Sequence, residues 1–228
     1  MTEPLVIAID GPAGVGKSTV AQMLARRMGL IYVDSGATYR AAALKVIESG
    51  VSLEDEKEIV RIVESAEIGF IPQQPQPQVL LDANDVTAKL RTAEVTGAAS
   101  IVSRIPAVRR KMVALQRSLL KHPGVVMEGR DIGTTVFPGA PLKVFLKADP
   151  GERARRRVQQ DEEHGRRSTF EGTIKEISSR DQRDSERQAS PLAAADDAVI
   201  IDTTGLSAEE VVERILELAR KKKLSGPQ

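Results

Sequence analysis

The chain has 228 residues, and its 33 basic and 32 acidic residues leave a formal net charge of +1, too small to hold nucleic acid or a membrane surface by charge. With 2 Tyr, 4 Phe and no Trp, it lacks the aromatic residues of a base-stacking surface. The absence of cysteine excludes disulfides and thiolate metal sites. The amino-terminal apolar run is too short and too acidic in its flank for a signal peptide, and no run reaches membrane-spanning length. We therefore expect a cytoplasmic monomer that binds neither nucleic acid nor membranes.

The amino-terminal stretch combines a strand, a glycine-rich loop and a helix. Residues 5–9 form a short apolar run that is typical of a buried strand. Residues 11–18 have the sequence GPAGVGKS, which matches the G-x-x-x-x-G-K-[ST] pattern of phosphate-binding loops. Apolar residues at helical spacing follow, so the amino-terminal end of a helix dipole would point at the loop. A chance glycine-rich turn is the alternative, and the flanking strand and helix favour the phosphate site.

The residue types in this loop suit a nucleotide phosphate. Glycines at 11, 14 and 16 allow a tight turn in which successive backbone N–H groups point at an anion. Lys17 would bridge the β- and γ-phosphates of ATP, and the Ser18 hydroxyl would be a ligand of Mg²⁺. The loop therefore predicts a nucleotide-binding protein.

The middle of the chain interrupts the strand–helix alternation. Residues 66–92 contain short alternating segments around a Pro/Gln-rich run at 72–77, which predicts a small antiparallel β-insert. A disordered linker is the alternative for the Pro/Gln-rich run. A helical pattern over 92–121 contains Pro106, which should divide it into two helices.

Short buried strands alternate with helices along the rest of the chain, which predicts an α/β fold: a P-loop, doubly wound parallel sheet with surrounding helices. The further strands are predicted at residues 30–33, 125–127, 142–146 and 198–202. Ligands of such sheets lie beyond the carboxyl ends of the strands. Polar residues follow three of these strands directly, namely Asp34, Ser35, Arg130, Asp131 and Asp149. They should therefore meet at the rim that holds the phosphate loop.

The carboxyl-terminal third predicts a helical lid and a closing helix. Asp149 and Glu152 should form a capping box at the start of one helix, a polar loop is expected over 161–168, and a second helix over 169–188. Ser207 and Glu210 should form another capping box. We expect one domain over residues 1–222 with a disordered tail at 223–228. Its parts are a core (1–65, 93–150 and 188–222), the insert (about 66–92) and the lid (about 151–187).

The lid region is rich in arginine, at positions 153, 155, 156, 157, 166, 167, 180, 183 and 187. Pairs with nearby acids on the helix surface account for those at 155, 156 and 183. Arg153 and Arg157 share one helix face, and Arg180, Asp184 and Arg187 share another. A guanidinium binds phosphate with two hydrogen bonds and keeps its charge, so these two faces are candidates for anion binding.

The sequence favours a reaction that needs cations and no base. His122 and His164 are the only histidines, and nothing in their setting suggests a catalytic triad. A phosphate acceptor is already anionic at neutral pH, so the obstacle is repulsion between two anions, which cations and Mg²⁺ reduce. A closed lid would also exclude water. These features predict a kinase that acts on a phosphorylated or otherwise anionic small molecule.

Four motifs in this order resemble those of bacterial-type cytidylate kinases, a branch of the nucleoside monophosphate kinases. They are GPAGVGKST at 11–19, DSGATYR at 34–40, EGRDIGT at 128–134 and RDQRDSER at 180–187. The resemblance extends from about residue 5 to residue 219 and includes the β-insert. The phosphate loop alone is common to many families, whereas the four motifs together are specific.

The resemblance implies transfer of the ATP γ-phosphoryl group to CMP or dCMP with Mg²⁺, which Ser18 would bind. It implies an ATP site formed by Gly11, Pro12, Ala13, Gly14, Val15, Gly16, Lys17, Ser18 and Thr19. It implies a CMP site formed by Ser35, Arg40, Ser100, Arg109, Arg130, Asp131, Arg180, Asp184 and Arg187. The residues expected to act in catalysis are Lys17, Arg130, Arg153, Arg157 and Arg180, with Arg153 and Arg157 clamping the transferred phosphoryl group.

Alternatives remain at the level of residues and of function. Asp131 and Asp184 would pair with arginines for structural reasons alone, Ser100 would be a packing residue, and Ser35 a helix cap. The alternative enzymes are shikimate- or deoxynucleoside-type kinases, which need a carboxylate beside a hydroxyl acceptor. A nucleotide switch would need a guanine motif that is absent, and a nucleic-acid-binding ATPase would need a more basic surface.

Overall fold

The computed structural model describes residues 4–73, 77–121, 123–163, 165 and 167–224. The strands are β1 Leu5–Asp10, β2 Ile31–Asp34, β3 Ile68–Ile71, β4 Gln78–Leu81, β5 Asn84–Asp85, β6 Gly124–Gly129, β7 Leu142–Lys147 and β8 Val199–Asp202. The helices are α1 Lys17–Met28, α2 Ser35–Glu48, α3 Glu56–Ser65, α4 Ala93–Val102, α5 Pro106–Ser118, α6 Pro150–Glu163, α7 Phe170–Ser185 and α8 Ala208–Lys221. A 3₁₀ turn at Thr87–Arg91 precedes α4, and a π-helical turn at Ile132–Val136 follows β6.

Five parallel strands form the central sheet in the order β2-β6-β1-β7-β8. Alternate residues of β1, the middle strand, pack on opposite faces. Ile7 and Ile9 lie on the face covered by α1 and α8, whereas Val6 and Ala8 lie on the face covered by α5 and the π-helical turn. Since both faces are covered, nearly every residue of β1 is buried, and the predicted doubly wound fold is confirmed.

The carboxyl ends of the strands meet at one rim of this sheet. The parallel register places Asp10 of β1 beside Gly129 of β6, and Asp34 of β2 beside Glu128 of β6. The loops that carry the polar motifs leave the sheet at this rim, because the strands are parallel. The fold therefore brings together segments that are more than 90 residues apart in the chain.

A small antiparallel sheet of order β3-β4-β5 follows α3 in the chain. Val79 and Leu81 of β4 share a buried cluster with Leu44 of α2, which attaches this insert to the main domain. The predicted β-insert is confirmed, although residues 74–76 of its Pro/Gln-rich run lie outside the described residues. Pro106 begins α5, since its ring cannot continue the preceding helix, and the predicted division is also confirmed.

Helices α6 and α7 pack against each other in the region predicted to be a lid. Helix α6 extends to Glu163, so the prediction of a loop that begins at residue 161 is wrong. Helix α7 ends at Ser185, close to the predicted end. His122, His164 and Arg166 lie outside the described residues.

The start of α6 departs from the predicted capping box. Asp149 Oδ1 accepts a hydrogen bond from the Glu152 N–H group at 3.1 Å, as a cap should. The Glu152 carboxylate, however, binds Arg155 at 2.8 Å and Arg156 at 3.1 Å. The Asp149 N–H group donates instead to Thr204 Oγ1 at 2.9 Å, which ties α6 to the loop after β8. The reciprocal half of the box is therefore replaced by a tertiary contact.

The closing helix α8 begins with the predicted capping box. Ser207 Oγ accepts from the Glu210 N–H group at 3.2 Å, and Glu210 Oε2 accepts from the Ser207 N–H group at 2.8 Å. Residues 225–228 of the predicted tail lie outside the described residues. None of the helices in the described part of the chain has the length and apolar character needed to span a bilayer.

Candidate active site

The phosphate loop joins β1 to α1 and is shaped by two close backbone contacts. At Gly11, φ is +148° and a Cβ atom would lie 2.3 Å from the carbonyl oxygen of Leu146 in β7. At Gly14, φ is +78° and a Cβ atom would lie 3.0 Å from the carbonyl oxygen of Arg153 in α6. Glycine is therefore needed at both positions. Residues 13–19 of the predicted ATP site line a cavity, whereas Gly11 and Pro12 are not among its described lining residues.

Lys17 occupies a buried position at the start of α1, where it is 6% exposed. Its Nζ atom donates a hydrogen bond to the Pro12 carbonyl oxygen at 2.6 Å. Burial, reinforced by the neighbouring Arg130 guanidinium, lowers the pKa of Lys17 to about 7. A bound phosphate would supply the negative charge that stabilises the ammonium form, so this position favours an anionic ligand.

Two buried acids beneath the loop, Asp10 and Glu128, were not among the predicted site residues. The Asp10 carboxylate accepts hydrogen bonds from the N–H groups of Ile132 at 2.9 Å and Gly133 at 2.7 Å, which holds the π-helical turn against β1. Glu128 accepts from the Tyr32 hydroxyl at 2.6 Å. Burial raises the pKa of Asp10 to about 6 and also raises that of Glu128. The sequence signal for both is an acid at the end of an otherwise apolar strand.

The raised pKa of Asp10 predicts that its ionisation destabilises the fold as the pH rises. The folded protein holds this proton up to about pH 6, whereas the unfolded chain releases it near the usual value of 3.8. Stability is therefore lost between these two pH values and does not return above them. Between pH 5 and pH 7 the Asp10→Asn variant should gain about 1 kcal/mol of unfolding free energy relative to wild type. Urea denaturation at both pH values tests this; an equal difference at the two pH values contradicts it.

The oxygen ligands near Ser18 fit a magnesium ion that binds together with a nucleotide. Among the described residues, no group of three or more His, Cys, Asp or Glu side chains could hold a metal ion alone. Mg²⁺ usually keeps several waters and binds through one or two carboxylates and the phosphates of a substrate. The Ser18 hydroxyl lies near the buried Glu128 carboxylate, and this pair meets that requirement.

Three arginines of the predicted CMP site form ion pairs with two acids. Arg109 pairs with Asp131. Arg130 Nε lies 2.9 Å from Asp184 Oδ2, and Arg187 Nη1 lies 3.6 Å from Asp184 Oδ1. Both acids thus pair with arginines, as the structural alternative predicts, and both also line the cavity. The pairs fix the guanidinium groups in place before any ligand binds.

Ser100 and Arg109, both predicted for the CMP site, differ in position. Ser100 lines the cavity, and its buried hydroxyl has no hydrogen-bond partner in the described part of the chain. Arg109 is absent from the described lining residues; it donates to the Ser103 carbonyl oxygen at 3.2 Å, and its guanidinium carbon lies 5.3 Å from the Tyr39 ring centroid. Arg109 therefore supports the cavity wall from behind.

The end of β2 contributes a further cluster. Asp34 caps α2 by accepting from the Ala37 N–H group at 3.3 Å, so the capping role considered for Ser35 belongs to its neighbour. Asp34 also binds Arg40 at 2.6 Å and lies 3.9 Å from Arg91 of the 3₁₀ turn. Ser35, Arg40 and Arg91 all line the cavity. Arg91 was not predicted, because its place in the insert gives no local sign of proximity to the site.

Among the described residues, Arg180 differs from the other arginines of the site in that no acid lies within ion-pair distance of it. It lines the cavity, is half-buried, and forms no ion pair with any other described residue. Burial and the neighbouring Arg130 guanidinium lower the pKa of Arg180 to about 10. Its charge is therefore incompletely compensated, and an anionic ligand would stabilise it.

The two arginines expected to clamp the transferred phosphoryl group face different surroundings. Arg157 lines the cavity, and its Nε atom lies 3.4 Å from Asp161 Oδ2. Arg153 is not among the described lining residues; its guanidinium binds Asp181 and donates to the Ala13 carbonyl oxygen at 3.1 Å. The Arg153 guanidinium is therefore engaged by α7 and the phosphate loop, whereas Arg157 borders the cavity, and the phosphoryl clamp stays a prediction.

Arg156 connects the lid to the turn between β8 and α8. Besides Glu152, it binds the carbonyl oxygens of Thr203 at 2.7 Å and Leu206 at 3.4 Å. The predicted surface pair with a nearby acid is present, but Arg156 also makes these tertiary contacts. Arg156, Gln159, Thr203, Leu206 and Ser207 extend the cavity beyond the phosphate loop.

These walls enclose one cavity with a volume of about 520 Å³, which falls in the range of roughly 300–1,000 Å³ typical of ligand pockets. Both the phosphate loop and the arginine cluster contribute to its lining. A parallel sheet with such a loop and an arginine-lined cavity defines a P-loop kinase. A gluconokinase from Sinorhizobium meliloti 1021 shares the fold with a TM-score of 0.50 at 15% identity, covering 98% of this chain and 96% of that one.

This chain belongs to the cytidylate kinase family, whose model matches residues 7–221. A cytidylate kinase from Geobacillus sp. (strain WCH70) is 46% identical over 97% of this chain and 99% of its own length. Another, from Caldicellulosiruptor bescii, is 47% identical over 94% of this chain and 95% of its own length. The family indicated by the four motifs is thereby confirmed.

Proposed function

We propose that this protein transfers the γ-phosphoryl group of ATP to CMP and dCMP, forming ADP and CDP or dCDP. The observation that carries the proposal is that Arg130, Arg180 and Arg187 line the same cavity as the phosphate loop. Two nucleotide phosphates bound in one cavity repel each other, and cations between them lower that repulsion. The relatives named cytidylate kinases support cytosine as the acceptor base.

On the donor side, the backbone N–H groups of residues 14–19 and the Lys17 ammonium hold the β- and γ-phosphates. The part of the cavity beside Arg156 and the turn after β8 accommodates the rest of ATP. Mg²⁺, held by Ser18 and Glu128 with the nucleotide, would neutralise phosphate charge when bound. Arg157 adds a cation from the lid.

On the acceptor side, Arg180 and Arg130 hold the monophosphate, with Arg40 from α2. The cytidine moiety lies toward Ser100, Asp131, Asp184 and Arg187. Asp34, Asp131 and Asp184 each pair with an arginine, so each is a charge partner rather than a base. The attacking phosphate oxygen is already anionic and needs no proton removed. Transfer therefore depends on alignment and charge compensation. A monomeric state and a cytoplasmic location stay predictions.

A nucleotide panel tests this proposal. The purified protein is assayed with ATP and Mg²⁺ against CMP, dCMP, UMP, AMP, deoxycytidine and shikimate, with ADP formation as the readout. We expect turnover with CMP and dCMP and none with the two hydroxyl acceptors. Phosphorylation of a hydroxyl substrate without any nucleoside monophosphate would contradict the proposal.

A further inference from the structure

The lid touches the phosphate loop through a pair of residues that the proposed reaction does not use. Asp181 of α7 accepts a hydrogen bond from the Ala13 N–H group through Oδ1 at 3.0 Å, and its other oxygen pairs with Arg153 of α6. Arg153 donates in turn to the Ala13 carbonyl oxygen at 3.1 Å. The pair therefore engages both polar backbone groups of one loop residue, and it joins both lid helices to the loop.

This contact is enclosed and closely packed. The Arg153 and Asp181 side chains are 9% and 16% exposed. A Cβ atom at Gly14 would lie 3.0 Å from the Arg153 carbonyl oxygen and 3.1 Å from its Cβ, so the backbone of α6 rests directly on the loop. Charge-assisted hydrogen bonds in such an environment are stronger than the same bonds in water. The contact is thus a fixed joint between loop and lid.

The joint also determines where Arg180 points. Arg180 precedes Asp181 on α7, and consecutive side chains of an α-helix differ by about 100° around its axis. When Asp181 is held against the loop, the rotation of α7 about its axis is fixed, and Arg180 is directed into the cavity. The cavity is crowded with like charges from Lys17, Arg130 and Arg157, which would push an unrestrained Arg180 away.

We propose that Asp181 is a positioning residue, which clamps the lid to Ala13 and Arg153 and thereby holds Arg180 over the acceptor phosphate. The kinetic part of this inference rests on the proposed function. The clamp itself does not, because its contacts exist between described residues of the chain alone.

The first test separates positioning from general damage. Asp181→Ala should lower kcat about ten- to hundredfold, since a small misplacement of a catalytic group has effects of this size. The KM for ATP should change by less than about threefold, because the loop keeps the Lys17–Pro12 bond and the bond from Thr203 Oγ1 to the Val15 carbonyl oxygen at 3.3 Å. Asp181→Asn, which retains one acceptor for Ala13, should recover part of the rate. Glu162→Ala, which removes an exposed acid of the same lid, should match wild type.

A double-mutant cycle tests whether Asp181 acts through Arg180. If it does, the Asp181→Ala/Arg180→Ala enzyme is no slower than Arg180→Ala alone. The inference would be overturned if the double variant showed the product of the two single-variant losses in kcat. It would also be overturned if the KM for ATP of Asp181→Ala rose as much as its kcat fell. If Asp181→Ala does not fold, the same cycle is run with Asp181→Asn.

A third measurement uses the protein without nucleotide. Amide hydrogen exchange over residues 170–185 should be at least several-fold faster in Asp181→Ala than in wild type or Glu162→Ala, with α1 unaffected. Unchanged exchange in α7 overturns the clamp. If the wild-type protein does not phosphorylate CMP, the proposed substrate is refuted. Faster exchange of α7 in Asp181→Ala than in wild type would then still support the clamp.

Discussion

Replacement of Lys17 by alanine should lower kcat by at least about 10²–10³, which is the effect of removing one preorganised charge-stabilising donor. Lys17 is buried at the start of α1, where its ammonium can reach phosphate oxygens held by the loop. Its pKa, lowered to about 7 by burial, indicates that the folded chain supplies little stabilisation for this charge. The negative charge of the nucleotide is the missing partner, and its developing charge during transfer is what Lys17 would stabilise.

Lys89→Ala is a suitable control for this variant. Lys89 is 62% exposed and forms a surface pair with Glu48, so its loss should leave both activity and unfolding nearly unchanged. Melting curves of Lys17→Ala should lie close to those of wild type, because a buried cation without a full counter-charge contributes little to stability. A Lys17→Ala enzyme that retains more than a tenth of the wild-type kcat would contradict the role assigned to the loop.

Local signals in the sequence predicted the elements that build the site. The phosphate loop could be recognised because its glycines, Lys17 and Ser18 are contiguous, and their chemistry does not depend on distant partners. The insert and the division at Pro106 followed from alternation and from the geometry of proline. The rim of polar residues followed from the parallel sheet, because the carboxyl ends of parallel strands lie at the same edge.

Tertiary pairing accounts for what the sequence could not show. The i,i+4 spacing of Arg153 and Arg157 correctly puts them on one helix, but spacing does not tell which neighbour each side chain meets. Arg153 pairs with Asp181 and donates to the Ala13 carbonyl oxygen, and both partners come from distant parts of the chain. The acid at the end of β1 is a visible sequence signal, but the role of Asp10 was not predictable, because its partners are backbone N–H groups of a π-helical turn that no periodic pattern reveals.

The charges of the site are not shared equally among its arginines. Arg130 and Arg187 share Asp184, and Arg40 has Asp34, so most guanidinium groups of the acceptor side have an acid partner before a ligand binds. Paired arginines are held rigidly and can orient a substrate. Arg180 has no acid within ion-pair distance among the described residues, so more of its positive charge is available to attract the ligand. The largest contribution to charge stabilisation is therefore expected from Arg180.

Arg180→Ala should lower kcat/KM for CMP by about 10³ or more, the lower end of the effect of a well-placed arginine in phosphoryl transfer. The KM for ATP should change little, because the N–H groups of the loop and Lys17, which are proposed to hold ATP, are all retained in this variant. Arg183→Ala is the matched control: Arg183 lies on the same helix, is half-buried outside the described lining of the cavity, and donates only to the Ser179 carbonyl oxygen at 3.2 Å among the described contacts. Steady-state kinetics over a range of CMP concentrations distinguishes the two variants. Equal behaviour of Arg180→Ala and Arg183→Ala would show that the acceptor phosphate lies elsewhere, since only one of these guanidinium groups borders the cavity.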